Sequence, residues 1–352
     1  MASLHDALAR ALGRARYAPS ADNCQPFTFH GGPDALELRW SAARAAHVLD
    51  RARAASWLTL GATLETLRLA AGAEGLAVAE ELRSLHAGDG QAWATLRFSP
   101  GAEADPLAAQ IERRCTDRRL YRRVSFDDIQ MIQHKIIYNS SNVRLHLRRP
   151  PSGRLLGWMR GADALMWRQP ALVRDIARWV RFSPDALRAA GDGIGSDAFG
   201  LPPPALRLFQ VPGAERLVVA SGLDRAHGLW LRALLGTASA LLLISASRPG
   251  PEALVDTGRL ATRAWLRFTA AGLAAQPMTI LSLPVYAAAT DTLPADTPPA
   301  VVAHHRAGRA AFAEAFALPD GALPVWLFRV GGAPRRPPPR SPRRPLEEVW
   351  TR

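Results

Sequence analysis

The sequence predicts an α+β protein made of two related halves fused in one chain. Three observations carry this: an internal repeat, helical periodicity alternating with strand-like runs, and a polar turn leading into a strand in each half. From Gly61 the chain reads GATLETLRLAAGAEGLA, and from Gly258 it reads GRLATRAWLRFTAAGLA. Gly61 and Gly75 have the same separation as Gly258 and Gly272, Leu69 falls on Leu266, and both copies end Gly-Leu-Ala. Apolar residues recur between the glycines at helical spacing, and the second glycine suits a C-cap. Each copy is therefore expected to be a helix leading into a strand or turn. In the second half, Tyr138–Leu147 holds the place that the turn and strand at Pro19–Phe29 hold in the first. It keeps the polar turn but has lost the Gln-Pro pair.

The first turn, residues 18–26, reads Ala-Pro-Ser-Ala-Asp-Asn-Cys-Gln-Pro. Pro19 fixes its own φ, so Ser20 begins a turn with its hydroxyl and N–H free to donate. Asn23 and Gln25 each add a donor and an acceptor. Pro26 is expected to push Gln25 into an extended conformation, with Phe27-Thr28-Phe29 following as a strand. Such a turn can hydrogen-bond the edge of a flat heterocycle without using charge.

About ninety residues later, 112–121 read Glu-Arg-Arg-Cys-Thr-Asp-Arg-Arg-Leu-Tyr. Arg114, Thr116 and Arg118 alternate, and two guanidiniums and a hydroxyl suit one phosphate, because the Arg fork matches phosphate oxygens. Near the C-terminus, Leu323–Gly331 reads as a closing strand. A Pro-rich loop and Ser-Pro-Arg-Arg-Pro-Leu-Glu-Glu-Val at 341–349 follow. Arg335, Arg336 and Arg340 read as a solvated basic tail.

Together these three segments resemble the FMN-dependent nitroreductases. The turn matches their A-P-S-x-x-N-x-Q-P-W segment except for Phe27 in place of Trp. Residues 114–118 look like their R-x-S/T-x-R segment, and Arg343 matches the basic residue before P-L-E-E-V. The pattern is most similar to the fused, double-domain Acg-type subgroup of actinobacterial homologues. The resemblance implies a nitroreductase-like fold whose two pseudo-twofold-related halves mimic the family homodimer. It also implies FMN held by Pro19, Ser20, Asn23 and Gln25 from one half and Arg114, Thr116, Arg118 and Arg343 from the other. Gln276 or Met278 would face flavin N5 with a backbone N–H, since Pro277 has none. Each half has lost a different part of the site, so one FMN per chain is expected.

The implied activity is ping-pong electron transfer from NAD(P)H through FMN to a small aromatic or quinone-like substrate. No residue presents itself as an obligatory acid or nucleophile, so protons would come from solvent or substrate. The alternative is a non-catalytic flavin-binding or flavin-sequestering protein. It arises because residues 153–236 read as a helical, Trp-rich lid (Trp158, Trp167, Trp179, Trp230) able to occlude the pocket. Residues 192–195 and 201–204 mark a loop at its hinge or mouth. The halves are expected at 1–105 and 106–334, with a basic Pro-rich extension at 335–352. With the dimer interface already internal, a monomer is expected, or a dimer through another surface.

Composition narrows the classes further. No apolar run approaches the roughly eighteen residues of a membrane helix, and the N-terminus lacks a signal peptide's apolar core, so a cytoplasmic protein without membrane contact is expected. The net charge of +13 is almost wholly arginine, Lys135 being the only lysine. That bias reads as a GC-rich bacterial coding preference, and no nucleic-acid-binding signature accompanies it. Two cysteines form no framework. Cys24 and Cys115 lie inside the site segments, either as small buried hydrophobes or, for Cys115 between two arginines, as a thiol of lowered pKa near the flavin. The adjacent His304 and His305 cannot chelate a metal from one helix face.

Overall fold

The computed structural model describes residues 3–50, 52–83, 88–200, 206, 210–211, 213, 216–217 and 220–352. In chain order the first half comprises α1 (Leu4–Ala15), β1 (Phe27–Gly32), β2 (Ala35–Trp40), α2 (Ala54–Ala73), β3 (Leu76–Leu82) and β4 (Ala92–Pro100). The second comprises α3 (Phe126–His134), β5 (Val143–Arg148), α4 (Gly153–Trp167), α5 (Pro170–Trp179), β6 (Val180–Arg181), α6 (Pro184–Ala190), β7 (Ile194–Gly195) and α7 (Ser196–Phe199). It continues through α8 (Leu223–Thr237), β8 (Ala240–Ala246), α9 (Pro251–Ala270), β9 (Leu273–Pro277), α10 (Thr279–Ala289), α11 (Pro299–Phe316), β10 (Leu323–Gly332), α12 (Leu346–Val349) and β11 (Trp350–Thr351).

The sheets repeat one plan. The first runs β11-β1-β2-β4-β3 and the second β5-β8-β10-β9. Apart from the parallel β1–β11 edge, all these pairings are antiparallel. Matching β1, β2, β4 and β3 to β5, β8, β10 and β9 keeps both spatial order and chain order, with α2 and α9 at the same place in each. Both helices are 20 residues long and begin seven residues before their repeat glycine, so the predicted 61–75 and 258–272 segments are the later parts of longer helices. The halves differ by insertion. The β1–β2 hairpin turns at residues 33–34, whereas α4–α8 separate β5 from β8, and α10 and α11 separate β9 from β10.

α2 is buried around most of its circumference, as befits a helix between two cores. Each core borrows from the opposite half: Val255 and Leu266 of α9 join the first, and Ala54 and Leu58 of α2 join the second. Arg263 of α9 closes the join, pairing with the buried Glu65 at 2.7 Å and with Asp105 at 3.0 Å. The C-terminal segment crosses back, placing Trp350 opposite Phe29.

Within the 153–236 segment, α4 and α8 build a core layer. Leu155, Trp158, Met159 and Ala162 of α4, with Leu231 and Leu235 of α8, form a third core on the second sheet's outer face, against Leu241, Leu243, Phe312 and Leu327. Trp158 stacks on His304 with ring centroids 5.5 Å apart and donates from Nε1 to His304 O. It is a core residue, because the second sheet needs a covering layer on that face. Of the proposed hinge, 192–195 includes the short β7, and 201–204 lies outside the described residues. Among the described residues no helix is long and apolar enough to cross a membrane.

Candidate active site

The segments singled out in the sequence converge on one cavity of about 410 Å³ between the halves. Nine of the ten expected site residues line it: Pro19, Ser20, Asn23, Arg114, Thr116, Arg118, Gln276, Met278 and Arg343. The exception is Gln25.

Gln25 is wholly buried and braces the turn from behind. Its Nε2 donates to Gly191 O (2.9 Å) and Asn23 O (3.2 Å), while its Oε1 accepts from Arg344 N (3.0 Å). Arg344 Nη2 also donates to Gln25 O and Phe27 O. The extended conformation expected of Gln25 does not occur: its φ is +48°, beside +44° at Asp22 and +60° at Asn23. Three left-handed residues in four cost energy. The bond from Gln25 N–H to Ser20 Oγ and the Arg344 clamp hold them there. Ser20 Oγ is thus an acceptor in the turn. Asn23 Nδ2 is committed to Gly193 O (3.1 Å) and Pro342 O (3.0 Å), and its buried Oδ1 has no partner. Turn, insertion and C-terminal strap are thereby pinned together.

One end of the cavity is cationic. Arg114 is buried, stacks 4.3 Å above Trp265, and donates from Nη2 to Tyr17 O. Arg343 donates from Nη1 to Ser341 O and Pro342 O and leaves a buried Nε unpartnered. Among the described residues neither guanidinium has a carboxylate within salt-bridge reach. Burial, reinforced for Arg114 by Arg343, brings Arg114 down to about 9, and burial brings Arg343 down to about 10. Both remain charged at neutral pH, so the pair calls for an anion. Arg118, also lowered by burial, donates to Ala198 O of α7. Arg340 does not belong to a free tail, for it donates to Glu112 O and Arg113 O at the cavity rim.

Two other expectations change. The Cys115 thiol lines the cavity but is raised by burial, which outweighs the nearby arginines, so it is no activated thiolate. Cys24 is buried and raised further still. At the β9 end, Met278 N–H is spent on Leu327 O (2.7 Å), and Gln276 sits in the ladder opposite Arg329. Fully buried Arg329 holds Gln276 Oε1 at 2.6 Å, which leaves the Nε2 end of that amide as the donor available to the cavity.

Met166, Trp167, Trp230, Leu283 and Trp326 supply apolar wall to the cavity. Two histidines interrupt it. His47 stacks on Trp179 (5.1 Å) and lies 3.7 Å from both Asp22 and Asp175. Burial pushes its pKa down, but the carboxylates around it outweigh burial and raise it. His227 Nδ1 lies 2.8 Å from Asp163. Neither histidine stood out in the sequence, because their carboxylate partners are remote in the chain. Arg344 and Arg329 carried no signal beyond one more arginine in an arginine-rich protein. Among the described residues no group of side chains could hold a metal ion.

No family model and no curated protein matches this sequence. Solved structures similar to it are nitroreductases. The FMN- and NADPH-dependent nitroreductase NfnB of Sphigopyxis sp. strain HMH is 16% identical, with 70% of this chain and 97% of that one covered at a TM-score of 0.37. NfnB of Mycobacterium smegmatis, in complex with NADPH, is 16% identical over the same shares at a TM-score of 0.38. A nitroreductase with bound FMN from Desulfitobacterium hafniense is 13% identical, covering 68% of this chain and 94% of that one at 0.37.

Proposed function

We propose that this chain is a nitroreductase-like, FMN-dependent oxidoreductase that passes electrons from NAD(P)H to a small aromatic or quinone-like acceptor in a ping-pong cycle. The observation that carries the reading is the Arg114–Arg343 pair, two neighbouring cations in the cavity wall with no carboxylate within salt-bridge reach among the described residues. A phosphate monoester supplies the missing charge and accepts from both forks. Ser20, Thr116 and Asn23 line the cavity beside that pair and suit a polyhydroxylated chain, while Arg118 and Gln276 offer donors to a heterocycle edge. The apolar wall with its three tryptophans suits a flat ring. When bound, FMN supplies the two-electron carrier between nicotinamide and acceptor. The protein's part is to fix phosphate and ring edge and to exclude water.

The two-half division, the cytoplasmic location and a monomer, or a dimer through another surface, belong to the same proposal. The face that a family homodimer would use is filled by packing of α2 on α9. Flavin storage without turnover is the second reading, favoured by the His47–Asp175 contact that holds α5 against the flavin-side turn. Anaerobic stopped-flow absorbance separates the two: bleaching of the oxidised flavin band by NADH or NADPH supports turnover, and its absence with both supports storage.

A further inference from the structure

Asp163 on α4 and His227 on α8 face each other across the second-half insertion. Asp163 is buried, and both its oxygens lie 2.8 Å from His227 Nδ1. Arg168, at the C-cap of α4, and Asp224 of α8 pair with each other at 2.7 Å. His227 packs against Trp167 with centroids 4.9 Å apart, and both residues line the cavity. A carboxylate beside Nδ1 accepts from an N–H there, which leaves Nε2 as the ring nitrogen turned away from Asp163. A buried Asp–His pair on an apolar wall is a costly arrangement that core packing does not require.

We propose that His227 is the proton donor to the acceptor substrate, with Asp163 as its positioning residue. The proposal rests on the FMN reading and narrows the substrate to acceptors whose oxygen is protonated on reduction, quinones and nitro compounds. As the acceptor receives the electron pair, the His227 Nε2–H bond breaks and an O–H bond forms on the acceptor. The neutral imidazole then recovers a proton from water. The reducing equivalents come from NAD(P)H.

The test is reoxidation of the NADPH-reduced holoprotein by two acceptors, 1,4-benzoquinone and ferricyanide. Only the quinone must take up a proton. His227→Gln is expected to slow reoxidation by benzoquinone about 100-fold, the scale of a lost general acid, while reoxidation by ferricyanide changes less than twofold. Asp163→Asn should give the same split. Equal slowing with both acceptors, or no slowing with either, overturns the proposal. If the variants do not fold, ¹⁵N-histidine NMR of the wild-type protein decides: a neutral ring protonated at Nδ1 supports the pairing, and one protonated at Nε2 overturns it. Flavin content and the rate of reduction by NADPH, read on the wild-type samples, report failure of the FMN reading separately; a protein that takes up no FMN overturns both.

Discussion

Gly61 and Gly258 contact each other's helices at equivalent points. A Cβ on Gly61 would stand 1.9 Å from Val255 O, and a Cβ on Gly258 would stand 2.0 Å from Leu58 O. Val255 precedes Gly258 by three residues, and Leu58 precedes Gly61 by three. Reciprocity of that kind marks an isologous, twofold-type contact, here formed within one chain.

A methyl group at either glycine meets main-chain atoms, which cannot rotate away. Gly61→Ala and Gly258→Ala should each cost about 3 kcal/mol or more, the upper range for overpacking. Gly13→Ala, in α1 with open space around the added carbon, should be neutral or gain up to about 1 kcal/mol. Urea denaturation of the three variants checks the contrast.

Arg114→Ala removes one of two cations from the proposed phosphate site. Charge-assisted hydrogen bonds contribute about 1.5–3 kcal/mol, so FMN affinity should fall roughly 10- to 150-fold. Riboflavin, lacking the phosphate, should be affected much less. Titration calorimetry with both ligands reads the difference, and equal losses for both would mean that Arg114 does not meet the phosphate.

Gln25→Ala tests the brace rather than the ligand. It strips partners from Gly191 O, Asn23 O and Arg344 N at a buried site, which should cost about 2–4 kcal/mol. Thermal unfolding should shift accordingly. Wild-type stability would show that the strap is held elsewhere.

His47 makes stability depend on pH. Its folded-state pKa is raised, so its contribution is complete below the unfolded value of about 6.5 and fades as pH rises through the folded value. The Tm difference between wild type and His47→Gln should be largest at acidic pH and shrink on the alkaline side. A difference that grows with pH would contradict the Asp22–Asp175 clamp.

The repeat was legible because two helices filling the same interface need glycine at the same crossing point. Arg114, Thr116, Arg118 and Arg343 were legible as residues of a cavity wall because their types suit one anion. The fate of Gln25 was not, since its φ and its partners are set by Gly191 and Arg344, far away in sequence. The role of α4 as a core layer was equally hidden: Trp158 has the same helical spacing whether it roofs a cavity or packs on Phe312. His227 and Asp163 are separated by 64 residues, and His47 meets one carboxylate before it in the chain and another far after it, beyond what local spacing can convey.

Native mass spectrometry of the purified protein titrated with FMN tests the central claim most directly. One FMN per chain is expected, saturating at a ratio of one whether the protein is a monomer or a dimer through another surface, with riboflavin bound far more weakly. Two flavins per chain, equal binding of riboflavin, or a site completed only in a dimer would contradict it.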